Sequence, residues 1–231
     1  MIQDLGCATS AELFELAPTV LVPLGSTEQH GPHLPLDTDT RIASAIAAAT
    51  ARHLDLMVAP PIAYGASGEH QGFAGTVSIG TAALQTVLVE YGRSVVHWAR
   101  RVVFVNGHGG NVDALRAAVA LLRTEDRDAA WLSPAAAGAD AHAGNAETSV
   151  LLHLSPDIVR VDEIRAGNTD PLADLMPRLR AGGVRAVSDS GVLGDPTTAT
   201  ADHGARLFTE MVDDCVARLR RWQPRADGML T

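Results

Sequence analysis

The chain has 231 residues, of which 46% are hydrophobic and only 4% aromatic, so its core must be built mainly from Ala, Val, Leu and Ile. Its formal net charge of −9 argues against nucleic acid as a main partner, because phosphate binding requires a basic surface. No uninterrupted apolar run reaches the ~18 residues of a membrane span, and the N-terminus has no signal-peptide pattern. We therefore expect a cytoplasmic protein with no membrane partner.

Short β-rich runs alternate with helical patterns along the chain. The first half predicts a strand at 20–24, an Ala-rich helix at 40–52, a strand at 56–59, a Gly-rich loop at 64–80, a helix at about 81–98 and a strand at 102–105. The second half predicts a helix capped by Asn111, a strand at 129–133, a helix through 147–154, a turn at 155–157 and a last helix at 202–222. Residues 165–200 look irregular apart from a helix near 172–179.

This alternation of strands and helices predicts an α/β fold with a mostly parallel sheet sandwiched between helices. The sequence contains no internal repeat, low-complexity tract or obvious linker, so we expect a single domain over residues 1–231. In such sheets, ligands bind beyond the carboxyl ends of the strands. Polar clusters that follow the predicted strands are therefore the first candidates for a functional site.

The first cluster follows the strand at 20–24 and has three carboxylates and two imidazoles between residues 25 and 39, at Glu28, His30, His33, Asp37 and Asp39. Oxygen and nitrogen ligands at this density indicate a divalent-metal site. If the strand continues through the motif, Glu28 and His30 are two residues apart and leave the backbone on the same face. They are then able to bind one ion or two adjacent ions.

Three further clusters contain candidate functional residues, and each cluster also has an interpretation without a function. His108 lies in the Gly-rich segment 106–111 after the strand at 102–105, which is otherwise a tight turn with an exposed histidine. His142 and Glu147 lie at the start of a predicted helix, where a lone His or Glu is usually only solvated. Glu69 and His70 lie in a segment that also reads as a hydrophilic loop.

The remaining candidate residues indicate no other chemistry. His53, His97 and His153 fall within helical patterns and are expected to be packing or surface residues. Cys7 and Cys215 are too few for a disulfide framework or a structural zinc site, and Cys215 is expected in the core. The chain has no phosphate-binding glycine loop, no G-x-S-x-G elbow and no H-E-x-x-H helix. Metal-assisted hydrolysis is the chemistry that remains.

At these clusters the sequence resembles the creatininase family of metal-dependent amidohydrolases. The resemblance rests on five separate motifs in family order: GSTEQHGPHLP with DTD at 25–39, EHQGFAGTVS at 69–78, NGHGGN at 106–111, HAGNAETS at 142–149 and GVLGDPTTAT at 191–200. They span nearly the whole chain. The resemblance implies a creatininase-like three-layer fold and a homo-oligomer.

The resemblance also implies a site with two divalent metal ions. Glu28 and His108 are expected to bind one ion and His30 the other, with Asp39 between them. Creatininase itself has a further glutamate ligand at the position of Gly110, so we expect Glu147 to supply the missing carboxylate. Iron, zinc and manganese are all compatible with these ligands.

Other roles also follow from the resemblance. His142 matches the catalytic histidine and is expected to move a proton to the leaving nitrogen. Glu69, His70 and Gly109 are expected to contact the substrate, whereas His33 and Asp37 are expected to support the turn or the ligands.

Within the family, the motifs most resemble the peptidase branch of mycofactocin biosynthesis, which releases a modified C-terminal Val-Tyr unit from a ribosomal precursor peptide. An alternative is an amidohydrolase of a small cyclic or formylated amide, of the creatininase or formamide hydrolase type. The creatinine variant is disfavoured because creatininase uses active-site tryptophans, and only Trp131 lies near the third cluster. A third possibility is a metal-binding structural or sensor protein without catalysis, although pure binding would not need His142.

Overall fold

Four strands and seven α-helices make up the regular structure of this computed structural model, which describes residues 4–13, 16–134 and 138–231. The strands are β1 (Thr19–Leu24), β2 (Met57–Val58), β3 (Arg101–Asn106) and β4 (Ala129–Leu132). The helices are α1 (Ser10–Leu13), α2 (Thr38–Leu54), α3 (Thr81–Val95), α4 (Val112–Thr124), α5 (Asn145–Leu154), α6 (Leu172–Gly182) and α7 (Ala201–Arg221).

The strands form one parallel sheet in the order β2-β1-β3-β4. β1 and β3 are paired along their whole length, with Leu24 opposite Asn106 at the carboxyl end. The Gly107 amide continues the pairing by donating to the Leu24 carbonyl at 2.8 Å. The segments that leave β1 and β3 therefore start side by side, which places the first two polar clusters at one edge of the sheet.

Helices cover both faces of the sheet, as predicted. Leu21, Val103 and Val105 pack in a core cluster with α2, α5 and α7. Val22 and Phe104, from alternate positions, pack in a second cluster with α3 and α4. Because both faces are buried, the strands are continuous apolar runs, which is why the sequence predicted them clearly. The three-layer α/β expectation is confirmed.

The structure answers one open condition of the sequence analysis and corrects one expectation. β1 ends at Leu24, so the motif that follows is not a strand and its side chains are not placed by strand alternation. Asn111 lies at the first position before α4, but its side chain makes no capping hydrogen bond. It instead accepts from the Ala66 amide at 2.9 Å and donates to the Gly25 carbonyl at 3.0 Å, so it joins three loops at the sheet edge.

A smaller core cluster lies beside the sheet edge and holds α6 in place. It contains Leu175 of α6 together with Val184, Val187 and Leu193. The chain leaves α6 through Gly183, which has a φ of +68°. A Cβ at Gly183 would lie 2.5 Å from the Glu69 carbonyl oxygen, so only glycine allows α6 to approach the 68–70 segment this closely.

The residues given no functional role behave as expected. His53, His97 and His153 are exposed, and Cys215 is buried in the core beside α2. Within the described ranges, no helix is long and apolar enough to cross a lipid bilayer.

The contact between α5 and α7 depends on Gly204, where a Cβ would lie 1.8 Å from the Ser149 carbonyl oxygen. We expect Gly204→Ala to destabilise the protein by about 1–3 kcal/mol, because neither helix backbone is able to give way within a packed layer. For a chain of this size that corresponds to a fall in Tm of roughly 2–10 °C. Gly68→Ala is the control, since a Cβ there meets nothing within 4 Å. Equal melting temperatures for Gly204→Ala and the control would contradict this packing.

Candidate metal centre

The candidate site lies at the carboxyl ends of β1 and β3, where the loop after β1 carries Glu28 and His30 and the turn after β3 carries His108. Asp39 lies in the first turn of α2, where the helix dipole favours a carboxylate. The start of α2 approaches the end of β1 very closely, because a Cβ at Gly25 would lie 2.5 Å from the Thr40 amide nitrogen. This approach brings Asp39 beside the two loops.

These polar side chains are removed from solvent. Glu28 and His30 are 0% exposed, Asp39 is 2% exposed and His108 is 6% exposed. Glu147, from the first turn of α5, is half-buried and faces the same site. Burying charged groups costs several kcal/mol each unless they are paired, so this concentration of carboxylates needs compensating positive charge.

Asp39 is the central group. Its Oδ1 lies 3.1 Å from His30 Nε2, and its Oδ2 lies 3.3 Å from His108 Nδ1. The Ser26 hydroxyl donates to Oδ2 at 2.7 Å and fixes the carboxylate plane. Burial works to raise the Asp39 pKa, but the positive charge on His30 and the hydrogen bond from His108 reverse this and hold it well below its usual range. Asp39 is therefore ionised.

Glu28 is surrounded by nitrogen atoms without being hydrogen-bonded to them. Its Oε2 lies 3.2 Å from His108 Nε2 and its Oε1 lies 3.4 Å from His70 Nε2. The geometry of these contacts is poor, and both buried oxygens lack an aligned hydrogen bond. Burial and Asp39 work to raise the Glu28 pKa, yet the interaction with His108 prevails and lowers it to about 2. An ionised carboxylate with no aligned donor is what a cation site requires.

The contacts of the two His30 ring nitrogens also indicate a cation between His30 and Asp39. Its Nδ1 lies 3.1 Å from the Glu28 carbonyl oxygen, which only accepts, so we assign the proton to Nδ1. In the neutral ring Nε2 then presents a lone pair to Asp39 at 3.1 Å, an unfavourable contact unless a proton or a metal ion lies between. Burial would lower the pKa of His30, but Asp39 raises it to about 9, so a proton takes this place when no metal is bound.

The donor atoms form two adjacent ligand groups that share Asp39. Glu28, Asp39 and His108 form one, and His30, Asp39 and Glu147 form the other, with the donor atoms of each group within 4.8 Å of one another. Burial and the nearby Asp39 raise the Glu147 pKa to about 7, despite an opposing effect of His30. Carboxylate and imidazole donors in this arrangement fit divalent metal ions. The residues present therefore fit the two-ion centre that the family resemblance implies.

Gly110 leaves no room for a further ligand. A Cβ at Gly110 would lie 2.3 Å from the Ala66 carbonyl oxygen and 2.4 Å from His108 Nε2. The Glu147 carboxylate is instead held beside His30 and Asp39 by the Ala143 amide, which donates to its Oε2 at 2.6 Å. Ala143 is fully buried with a φ of +51°, a backbone conformation that costs about 1 kcal/mol for a residue with a side chain.

His142 faces the ligand groups with a free ring nitrogen. Its Nε2 lies 2.7 Å from the Gln29 carbonyl oxygen and 3.1 Å from the Gln29 side-chain nitrogen, whose two hydrogens have acceptors in His70 and Gly191. We therefore assign the His142 proton to Nε2, which leaves the lone pair on Nδ1, 3.7 Å from Glu28 Oε1. Burial, together with the positive charge on His30, lowers the pKa of His142 well below its usual value. His142 is therefore neutral and able to accept a proton. It also forms a possible third ligand group with Glu28 and His30.

The Gln29 side chain is a functional residue that the sequence analysis missed. Its amide nitrogen donates to His70 Nδ1 at 2.9 Å and to the Gly191 carbonyl at 3.2 Å. His70 therefore carries its proton on Nε2, which lies 3.4 Å from Glu28 Oε1 without an aligned hydrogen bond, so His70 lies beside a ligand and is not itself placed as one. The signal for this role in the sequence was the position of Gln29 between the predicted ligands Glu28 and His30.

A cavity of about 640 Å³ opens above the ligand groups. Its floor includes Asp39, His108, His142 and Glu147, and its sides are lined by Glu69, His70, Gly109, Gly110, Leu172, Met176, Leu179, Arg180, Val184 and Leu193, among others. The three predicted substrate-contacting residues thus line the cavity. The α6 residues were not predicted as part of the site, although Leu172, Met176 and Leu179 follow a helical spacing.

His33 and Asp37 lie outside the ligand groups. His33 is fully buried and its Nε2 contacts the Thr148 hydroxyl at 2.8 Å, so it joins the first motif to α5. Burial and the nearby charge on His30 lower the pKa of His33 to about 4. Asp37 accepts from Arg41 Nε at 2.7 Å at the surface.

Comparison with known proteins agrees with this geometry. The family described as creatininase, creatinine amidohydrolase, matches residues 6–219. The mycofactocin precursor peptide peptidase of Mycolicibacterium smegmatis is 64% identical, over 98% of this chain and 94% of its own. The creatinine amidohydrolase of Pseudomonas putida is 28% identical, over 89% of this chain and 90% of its own.

A solved structure described as "Creatininase Mn" superposes with a TM-score of 0.79 at 25% identity, covering 97% of this chain and 100% of that chain. The likeness thus extends over the fold as well as the motifs. The chain belongs to the creatininase family of metal-dependent amidohydrolases.

Proposed function

We propose that the protein hydrolyses an amide bond of the mycofactocin precursor peptide and releases its modified C-terminal Val-Tyr unit. The observation that carries this proposal is the 64% identity, over nearly the full length of both chains, to a peptidase named for that peptide. The cavity supports it, since about 640 Å³ suits a ligand much larger than a small cyclic amide.

In the proposed mechanism, Glu28, Asp39 and His108 would hold one divalent ion, and His30, Asp39 and Glu147 would hold a second. The ions supply Lewis-acid polarisation of the scissile carbonyl and lower the pKa of water. Ser26 holds the plane of the Asp39 carboxylate, and His70 lies beside the Glu28 carboxylate at the side of the cavity. Zinc, iron and manganese all suit these donors.

His142 is the proposed acid–base residue. Its neutral ring presents the Nδ1 lone pair to the site, so it is able to take a proton during attack and deliver it to the leaving nitrogen. The Leu193 amide donates to the His142 carbonyl at 2.9 Å, and the His142 amide donates to the Leu193 carbonyl at 3.1 Å. These two bonds hold the backbone of His142 in place while its ring exchanges protons.

The other roles in the proposal concern the substrate and the assembly. Glu69, His70 and Gly109 contact the peptide at the sides of the cavity. Residues 1–231 act as one domain in the cytoplasm, and the protein assembles as a homo-oligomer, by analogy with the family.

A second candidate function is hydrolysis of a small amide such as creatinine, because the Pseudomonas putida relative carries that name. The ligand groups would serve it equally well. It is disfavoured by the lower identity, 28% against 64%, and by the size of the cavity.

Metal binding is tested by comparing two aspartates that lie two residues apart. We expect Asp39→Asn to lose most bound metal, because Asp39 belongs to both ligand groups, whereas Asp37→Asn should keep two ions per chain. Metal content by mass spectrometry after loading and desalting measures this directly. Metal binding should also raise the Tm of the metal-free wild type but not that of Asp39→Asn. Equal metal content in the two variants would contradict the shared-ligand arrangement.

The role of His142 is tested by His142→Ala. We expect this variant to keep both ions and to lose turnover by at least ~100-fold, the contribution typical of a positioned acid–base group. His153→Ala, at an exposed position on α5, is the control and should match the wild type. If His142→Ala loses metal, and its activity only follows metal occupancy, then His142 is a ligand in the third group and the acid–base assignment is wrong.

The substrate is tested with a panel on metal-loaded protein. We expect cleavage of a precursor peptide carrying the modified Val-Tyr end, detected by mass spectrometry, and no comparable turnover of creatinine or a formamide. Faster hydrolysis of either small amide would favour the second function. No hydrolysis of any substrate by fully metal-loaded protein would favour a binding role.

A further inference from the structure

One side of α6 presents apolar side chains to the cavity above the metal ligands. Leu172, Met176 and Leu179 line the cavity, and their spacing of four and three residues places them on one face of the helix. Leu175 is buried in the small core cluster beneath the helix, so α6 is anchored by a different residue. Leu179 also packs against this cluster, whereas Leu172 and Met176 belong to none of the core clusters of the described residues.

This apolar wall, defined as Leu172, Met176 and Leu179, is left in contact with solvent. Leu172 is 46% exposed, and the other two are half-buried. Apolar side chains at the side of a deep cavity gain roughly 25 cal/mol for each Å² that a ligand removes from water. A wall of this kind therefore favours a ligand with an apolar group.

The position of the wall relative to the site is fixed by two contacts. The end of α6 abuts the Glu69 backbone through Gly183, as described above. Leu193 belongs to the small core cluster with Leu175, and its backbone is hydrogen-bonded in both directions to His142. The wall is thus tied to the segment that carries the proposed proton-transfer residue.

The cavity separates two kinds of surface. The floor carries the ionised and metal-binding groups, and the α6 side presents the apolar wall with Arg180 at one end. A ligand that fits both has an amide to place over the floor and a bulky apolar side chain next to that amide. We propose that the apolar wall on α6 is the subsite that binds the apolar side chains of the C-terminal Val-Tyr unit and selects peptides ending in such residues. This inference rests on the proposed peptidase function.

Met176→Gln tests the subsite, because glutamine has nearly the length of methionine but an amide in place of its apolar end. Ala173→Gln is the matched control, since Ala173 is exposed on α6 and does not line the cavity. Two substrates are compared, a precursor peptide carrying the modified Val-Tyr end, called the Val-Tyr peptide, and the same peptide ending in Ala-Ala. The ratio of their kcat/KM values is the readout, because a general loss of activity or stability leaves this ratio unchanged.

We expect the wild type and Ala173→Gln to prefer the Val-Tyr peptide by at least tenfold. Met176→Gln should lose most of that preference through a higher KM for the Val-Tyr peptide, with kcat and the Ala-Ala reaction little changed. A wild-type preference that persists in Met176→Gln would overturn the subsite while leaving the peptidase function intact.

Calorimetry separates the inference from the proposed function. The dipeptides Val-Tyr and Ala-Ala are titrated into metal-loaded protein, and Ala-Ala controls for simple metal chelation. We expect Val-Tyr to bind about tenfold more tightly than Ala-Ala to the wild type but not to Met176→Gln. If the wild type cleaves neither peptide, the peptidase function fails, and equal affinities for the two dipeptides would then overturn the subsite as well.

Discussion

The buried carboxylate of Glu28 is the constraint on which the rest of the site depends. Its two oxygens are out of reach of solvent, its neighbours approach to 3.2–3.4 Å without aligning, and a second ionised carboxylate, Asp39, lies beside it. Leaving such charges uncompensated costs several kcal/mol, so the folded chain needs cations or protons at this position. Divalent ions supply that charge, and protonated His30 and His108 supply it without metal. Divalent ions that neutralise these carboxylates are also able to polarise an amide carbonyl for hydrolysis.

The fold brings the charged side chains together from segments that lie apart in the sequence. The paired ends of β1 and β3 bring two loops together. Gly25 lets the start of α2 approach the end of β1, and the Ala143 amide holds the Glu147 carboxylate by a hydrogen bond. The hydrogen bonds around Gln29 then divide the histidines by role. His142 keeps a free lone pair, whereas His70 carries its proton on the nitrogen beside Glu28. The His142 assignment rests on its short contact with the Gln29 carbonyl, and the His70 assignment on the Gln29 amide nitrogen, which only donates.

Much of this could be predicted from the sequence. The buried strands read as continuous β-branched runs, and their polar ends marked Glu28, His30, Asp39 and His108 as neighbours. Other features depend on contacts between residues far apart in the chain. Gln29 reaches His142 across 113 positions, Asn111 bonds to distant loops in place of capping its helix, and α6 faces a cavity that local periodicity does not reveal. Strand alternation does not place Glu28 and His30, because β1 ends at Leu24 and the motif follows it as a loop.

The shared role of Asp39 is the central claim, and anomalous diffraction from crystals of metal-loaded protein tests it most directly. The account predicts two ions, one bound by Glu28 and His108 and the other by His30 and Glu147, with an oxygen of Asp39 bound to each. A single ion, or an ion bound by His142 with Glu147 left unbound, would contradict it.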